Sequence, residues 1–434
     1  MLHFWTPLRL LGLYLANLHF RIVLADLGAV QIEELLHAKI QQHILNPSAS
    51  TQKIIQSPWS HNAYCKRSSD LSTAGKKFCV YTSDTTGPHG VSIIASPETA
   101  AKVAESRLLD NDPLESFRNS HENEDQFVND PLYEVKEIEG KGMGVIATRK
   151  IKKFETVMVD QASILEDIDA VKALGKKDEK SILALAVKQL KSPNAVTELS
   201  ADHGNQVEKD LNLKDGGLEA DVMYTNAFGS DIAGKKMRAL FPLISRINHA
   251  CSPNTFVLFS RAGISMAIKA YRDIEPGEEL SISYLTLGQT FARRQDALKH
   301  KWGFTCTCKL CSLPHAERVA SDIRQTLIKQ TETKILELWE EGKHKEALGL
   351  AEESIEMIKE EGLDHFVPDQ YALLAKLWLL LGKRKKAEEI GKKSWELLRQ
   401  MGYLGTGEEF AWDLDNFLNM VGDGALKAVV EPRM

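Results

Sequence analysis

The chain is short of the features that mark several broad classes of protein. It has only six cysteines in 434 residues, which excludes a disulfide-stapled small scaffold. It has no excess of basic charge, since 54 Lys and Arg stand against 60 Asp and Glu for a formal net charge of −6. General adhesion to nucleic acid needs a concentrated basic surface, so this balance argues against direct nucleic-acid binding. A local basic run, Lys383-Arg-Lys-Lys386, reads as a solvated helix face. Long apolar runs are absent too. Leu10–Leu18 has the length of a signal-peptide core and Val23-Leu-Ala25 offers a small-residue cleavage site, but Asn17, His19 and Arg21 interrupt the apolar character. The segment is too short and too polar to span a membrane, and no other stretch qualifies. Residues 1–25 therefore read as a signal peptide or as an amphipathic first helix. What is present, 43% hydrophobic and 26% charged residues, suits a soluble globular protein of two or three domains.

The N-terminal part, 26–108, reads as an α/β extension. Ile32, Leu35, Leu36, Ile40 and Ile44 recur at helical spacing, and Asn46-Pro-Ser-Ala-Ser50 closes that helix. Strands are expected at 77–82 and 90–95, then a helix over 97–105 with Pro at its first turn. Cys65 and Cys79 pair as a disulfide if residues 1–25 are a signal peptide, and are buried free thiols otherwise. Residues 109–130 form a polar linker. Strand character returns at 133–139, breaks at Gly140-Lys-Gly-Met-Gly144, and resumes at 145–148 and 151–159. A helical, then loop-like insertion is expected over 160–222, with its surest helix at 181–190. Further strands are expected at 239–244, 255–260, 264–270 and 279–284.

From about 316 the periodicity is helical. Gly342-Lys-His-Lys-Glu-Ala-Leu-Gly-Leu-Ala351 parallels Gly382-Lys-Arg-Lys-Lys-Ala-Glu-Glu-Ile-Gly391, a repeat of forty residues. A helix, a glycine turn and a second helix with small residues on its packing face is a tetratricopeptide-like pattern. Two units are too few for a free-standing solenoid, so the array at 315–420 should pack on the preceding domain, leaving 421–434 as a tail.

Chemistry concentrates in Arg246-Ile-Asn-His-Ala-Cys-Ser-Pro-Asn254, a polar run between apolar strands. Downstream, Cys306-x-Cys308-x-x-Cys311 puts three thiols in one tight loop. Tetrahedral zinc takes four ligands, and Cys251 is the other thiol nearby in sequence. The expectation is a structural four-thiolate zinc site of Cys251, Cys306, Cys308 and Cys311, clamping the segment 302–311 against the Asn248-His249 loop. Tyr284, at the end of an apolar strand, has a hydroxyl that needs a partner.

Three motifs together resemble those of SET-domain protein lysine methyltransferases. They are Gly140-Lys-Gly-Met-Gly-Val-Ile-Ala-Thr148, the Arg246–Asn254 run, and Ile274-Glu-Pro-Gly-Glu-Glu-Leu-Ser-Ile-Ser-Tyr284. The Cys306–Cys311 run is similar to a post-SET zinc segment. The insertion and the helical tail resemble the SET-and-MYND (SMYD) branch, but this sequence has no MYND Cys/His array, so contacts made by that module do not carry over. The resemblance covers about 131–314 and implies an α+β SET fold at 131–285, with short curved β-sheets and a helical insertion. A zinc-bound post-SET segment at 286–314 and tetratricopeptide-like helical repeats complete it.

The resemblance further implies S-adenosylmethionine as cofactor, held by Lys141, Met143, Gly144, Asn226, Asn248, His249 and Phe304. It implies Tyr284 as the catalytic tyrosine of the methyl-transfer channel and Trp302 as a wall of the lysine channel. The expected activity is methyl transfer to a lysine of a histone or non-histone protein. The competing expectation is a catalytically silent SET fold acting as an interaction module through its helical repeats. A thiolate zinc site and this cofactor suit the nucleus or cytoplasm, and a genuine signal peptide would place the chain in the secretory pathway.

Overall fold

The structure, a computed structural model, describes residues 58–69, 73–109, 131–199, 217–260, 264–404 and 411–421. The readings of residues 1–25, the helix at 28–50, nearly all of the polar linker, the loop at 200–216 and the tail after 421 lie outside the described residues.

The described chain opens with β1 (Tyr64–Arg67), β2 (Lys77–Ser83) and β3 (Val91–Ala95), each antiparallel to the next. Helix α1 (Pro97–Glu105) follows, and its start is written in the sequence. The Ser96 hydroxyl accepts from the Thr99 N–H at 3.2 Å, and Pro97 takes the first position, where no amide hydrogen is needed. β4 (Tyr133–Ile138) and β5 (Gly142–Ala147) form a hairpin, so the break expected at 140–144 is narrower and β5 already begins at Gly142.

The strand expected at 151–159 is interrupted. Ile151 makes a single bridge to Ile274, and Phe154 turns the chain with φ +65° before β6 (Thr156–Gln161) begins. The insertion expected at 160–222 starts late, because β7 (Ile164–Asp167) lies inside that range. Its helices are α2 (Ile168–Ala173), α3 (Lys176–Lys188), α4 (Asn194–Thr197) and α5 (Leu218–Asn226). β8 (Phe228–Ile232) and β9 (Lys235–Leu240) come next. The strand expected at 239–244 therefore ends at Leu240, and a 3-10 turn over Ile244–Arg246 replaces its second half. β10 (Asn248–His249), β11 (Thr255–Phe259), β12 (Ser265–Ala270) and β13 (Glu279–Ile282) complete the strands.

These strands form sheets in the orders β1-β2-β3-β7-β9-β8, β10-β13-β5-β4 and β11-β12-β6. β3 runs parallel to β7, with Ser92 opposite Ile164, so the strands of the N-terminal extension share one sheet with strands of the expected SET region. Ile93, Val145, Ile151, Leu165, Phe241 and Ile268 are fully buried between the sheets. Each such side chain contributes about 1.5–3 kcal/mol through burial. A charged clamp ties the insertion to the sheet. Glu166 on β7 faces Arg238 on β9 in register, and Arg238 also reaches Glu179 of α3 at 3.0 Å. Burial pushes the Glu166 carboxyl up to about 7, while Arg238 pulls it back.

After β13 come α6 (Phe291–Trp302), α7 (His315–Glu340), α8 (His344–Glu360), α9 (Val367–Leu380), α10 (Arg384–Met401) and α11 (Leu414–Val421). The forty-residue repeat is realised as two helix–turn–helix units, α7 with α8 and α9 with α10. Ala347, Ala351 and Ala387 are fully buried on the packing faces. At the matching Gly391, a Cβ would stand 3.0 Å from Leu414 and 3.1 Å from Trp412, so a side chain there would crowd the approach of α11. The array rests on the sheets as expected: Phe256 meets Tyr271 at 4.6 Å and Tyr403 at 6.3 Å between ring centroids, and Tyr271 meets His365 at 5.8 Å. Among the described residues no helix is long and apolar enough to cross a membrane.

Candidate active site and metal centre

The site grows from the polar run that follows β9. Asp160, at the end of β6, is buried, and its Oδ2 accepts from the backbone N–H groups of Leu243 at 2.7 Å and Ile244 at 2.9 Å. This carboxylate fixes the turn that leads into β10. Burial pushes Asp160 up to about 6, against the pull of its three backbone N–H partners. β10 then lies parallel to β13, with Asn248 opposite Ser281 and His249 opposite Ile282.

At β10 the chain splits its contacts. Asn248 donates to Glu279 at 3.0 Å, and Lys141 pairs with the same carboxylate. Gly144 lies so close that a Cβ on it would stand 2.8 Å from the Asn248 amide nitrogen. His249 points the other way. Its Nδ1 accepts from the Tyr284 N–H at 2.9 Å, and its Nε2 lies 3.3 Å from the Cys251 sulfur. The imidazole is therefore spent inside the protein, between the end of β13 and the cysteines.

Cys251 meets the three cysteines that follow α6. Its sulfur lies 3.8 Å from that of Cys306 and 3.5 Å from that of Cys311, and all four sulfurs lie within 4.8 Å of one another. Tetrahedral Zn–S bonds of about 2.3 Å place sulfurs about 3.8 Å apart, so the expected four ligands converge at a spacing that fits zinc. Four sulfurs at this distance cannot all ionise without a cation. Accepting from Cys251 drives the Cys306 thiol far below its usual range, and donating to Cys306 drives Cys251 far above. A divalent ion relieves this conflict. Gln295 of α6 braces the loop, accepting from Cys306 N–H at 2.9 Å and donating to its carbonyl at 2.8 Å. α6 ends at Gly303 with φ +74°, a left-handed turn that aims Phe304 and Cys306 back toward Cys251.

The Tyr284 ring that packs on His249 also lines a small pocket with Asn226, Phe228, Ile247, Ile282 and Trp302, among others. The Tyr284 hydroxyl donates to the Ile247 carbonyl at 2.9 Å, and its ring lies 5.2 Å from both His249 and Trp302. The Trp302 indole N–H donates to the Thr225 carbonyl at 3.0 Å, which joins the end of α6 to the end of α5. Phe304 sits 6.1 Å from His249. Of the residues singled out in the sequence, Asn226, Tyr284 and Trp302 share this pocket, while Lys141 and Asn248 meet at Glu279, with Gly144 against Asn248. Met143, at 42% exposure, stands at the surface. Asp160, Gln295 and Lys301 carry no signal in the sequence, whereas Glu279 lies inside the Ile274–Tyr284 motif and Phe228 closes the short run Thr225–Phe228 that holds Asn226.

The strand pair carrying Asn248, the four-sulfur cluster and the pocket walled by Tyr284 thus lie together. Residues 142–285 match the SET domain family, and the chain carries that domain. It is 31% identical over 195 residues to Histone-lysine N-methyltransferase set5 of Schizosaccharomyces pombe, covering 45% of this chain and 55% of that protein. It is 36% identical over 110 residues to Histone-lysine N-methyltransferase SMYD3 of Homo sapiens, 24% of this chain and 25% of that one. N-lysine methyltransferase SMYD2-B of Danio rerio is 37% identical over 87 residues, 20% of each chain. The chain thus spans about half the length of the set5 protein and a quarter or less of the other two. The similarity is consistent with a SMYD-like SET protein.

Proposed function

We propose that the chain is a protein-lysine N-methyltransferase using S-adenosylmethionine, with a protein lysine, histone or non-histone, as acceptor. The observation that carries this reading is the pocket in which the Tyr284 hydroxyl is fixed on the Ile247 carbonyl between Trp302 and His249. When bound, the cofactor supplies a methyl group on a sulfonium, already a strong electrophile. The residues suit it: the bare backbone at Gly144, the Asn248 amide and the Lys141–Glu279 pair leave an edge where backbone and charge meet a zwitterionic ligand. Lys141, Met143, Gly144, Asn226, Asn248 and Phe304 would hold it. His249 would contribute through its main chain, because both ring nitrogens are occupied.

The acceptor lysine needs a neutral amine. Phe228, Ile247, Ile282 and Trp302 supply apolar walls, and desolvation there favours the uncharged form. The Tyr284 oxygen, donating to Ile247, keeps lone pairs that receive an N–H from the amine and aim its own lone pair along the channel. No side chain need act as general base. Zinc at the four sulfurs would be structural, with no open ligand position. Protein partners through the helical repeats and placement in the nucleus or cytoplasm belong to the same proposal. The Cys65–Cys79 disulfide favours a second reading for location only, in the secretory pathway, where such pairs persist. Imaging of a tagged full chain separates the two.

The function is tested by incubating the zinc-loaded full chain with methyl-labelled S-adenosylmethionine and cell extract. Label on a lysine of an extract protein is expected. Absence of label together with no cofactor heat in calorimetry would leave the silent interaction module.

A further inference from the structure

Where the helical array meets the cysteine cluster, the chain closes around a second small cavity. Cys251 and Leu310 border it from the cluster, Thr286 from the stretch after β13, Arg294 from α6, Gln325 from α7 and Glu361 from the turn after α8. Three of these residues hold buried side-chain atoms that have no hydrogen-bond partner: Arg294 Nε, Gln325 Oε1 and Thr286 Oγ1. Arg294 is 4% exposed and Gln325 3%. Arg294 is the sharper case. Its Nη1 donates to the Gln289 carbonyl, and among the described residues no carboxylate pairs with it. Glu361, the acid of the lining, is already engaged. It accepts from Arg324 Nε at 2.5 Å, from the Ser321 hydroxyl at 2.6 Å and from the Gln325 amide at 3.0 Å. The last carbonyls of α8 are taken by its own turn, where the Glu361, Gly362 and Leu363 N–H groups donate to Met357, Lys359 and Ile358. His365, also in the lining, is held neutral by burial. Arg294 is thus a buried cation whose charge no neighbour balances, and such a charge is costly.

We propose that this cavity is a binding site for a small monovalent anion, chloride or hydrogencarbonate. The anion accepts from Arg294 Nε and from the Thr286 hydroxyl, and it balances the guanidinium. The space is tight and suits a small inorganic ion, not a metabolite. Gln325 Oε1 needs a donor. Hydrogencarbonate brings its own O–H and meets all three groups, whereas chloride meets two and leaves Gln325 to a water. A bound anion joins α7 of the array to α6 and to Thr286, two residues beyond Tyr284. Occupancy therefore fastens the array to the region of the cysteine cluster. The site stands whether or not the chain transfers methyl groups.

The zinc-loaded full chain is unfolded thermally in sodium gluconate, with chloride or hydrogencarbonate replacing gluconate at constant pH and ionic strength. The unfolding midpoint should rise by about 2–4 °C, and the rise should saturate. Hydrogencarbonate should saturate at the lower concentration; chloride saturating first keeps the anion site and puts a water on Gln325. Thr286→Val should need about threefold more anion for the same rise. Arg294→Gln should lose the rise. In gluconate alone its midpoint should equal or exceed that of the parent, because the unbalanced buried cation is gone. Crystals soaked in bromide should show an anomalous peak within hydrogen-bond distance of Arg294 Nε. A rise that never saturates, or an equal rise in Arg294→Gln, overturns the anion site and gives the cavity to water. If Arg294→Gln does not fold, the bromide peak and Thr286→Val decide: no peak and an unshifted titration overturn the site.

Discussion

The molecule uses cysteine in two regions, and they hold different things. In the N-terminal sheet, Cys65 and Cys79 face each other across β1 and β2 with Cα atoms 4.0 Å apart, and they close a loop of fourteen residues at a sheet edge. In the second region Cys251 comes from the motif run and its three partners from beyond α6, so the cluster joins segments that no sheet connects. The first pair reinforces neighbours that backbone hydrogen bonds already hold. The second ties the segment that carries Phe304 to the loop after His249, alongside the Trp302 bond to Thr225. One region should govern stability and the other function.

Removing the metal is the strongest way to break that contrast. Chelation, or Cys308→Ser, should abolish methyl transfer and weaken cofactor binding by at least about tenfold. Metal analysis should find zinc in the parent and little in the variant. Equal and absent zinc in both would end the assignment. Tyr284→Phe should cut the transfer rate by about a hundredfold, or change the number of methyls added, with cofactor affinity unchanged by calorimetry. The paired change of Cys65 and Cys79 to Ala should lower unfolding stability by about 3 kcal/mol in denaturant titration. Transfer should stay within about twofold, and a larger loss would show that the sheet edge reaches the site.

The smallest effect concerns His365, where the helical array meets Tyr271. Burial pushes it down to about 3, so the folded protein keeps it neutral while the unfolded chain takes a proton near 6.5. Its contribution is complete above that unfolded value and is lost as pH falls from 6.5 toward 3, about 2 kcal/mol by pH 5. His365→Gln should therefore show a flatter fall in unfolding midpoint between pH 7 and pH 5 than the parent.

Much of the fold was legible because local and global signals agree there. The strands at 77–82 and 90–95, the helix over 97–105 and the forty-residue repeat all follow patterns of period or capping. β7 was missed because it carries Glu166 and Asp167, charges that argue against a buried strand until Arg238 appears opposite. β8, with Gly229, Ser230 and Asp231, is hidden for the same reason. In the site, the Asn-His run and the cysteine spacing stood out because few structural roles need those residues in that order. Phe228 and Ile247 did not, because a pocket wall and a core position call for the same apolar side chains. Asp160 gave no local sign, since two of its three backbone N–H partners, those of Leu243 and Ile244, lie more than eighty residues away in sequence.

The parallel pairing of β3 with β7 bears on how the chain is made. A ribosome delivers β1, β2 and β3 first, but Ser92 cannot find its neighbour until Ile164 has emerged, and the sheet's far edge waits for Leu240. The early strands must spend that interval with an unsatisfied edge, a condition that invites chaperones and misassociation. A fragment cut at residue 142, where the family match begins, would be born with the opposite fault. It would lack β4 and the three N-terminal strands, exposing one side each of β5 and β7. The smallest piece that completes these sheets runs from β1 to β13, and recombinant boundaries belong outside it.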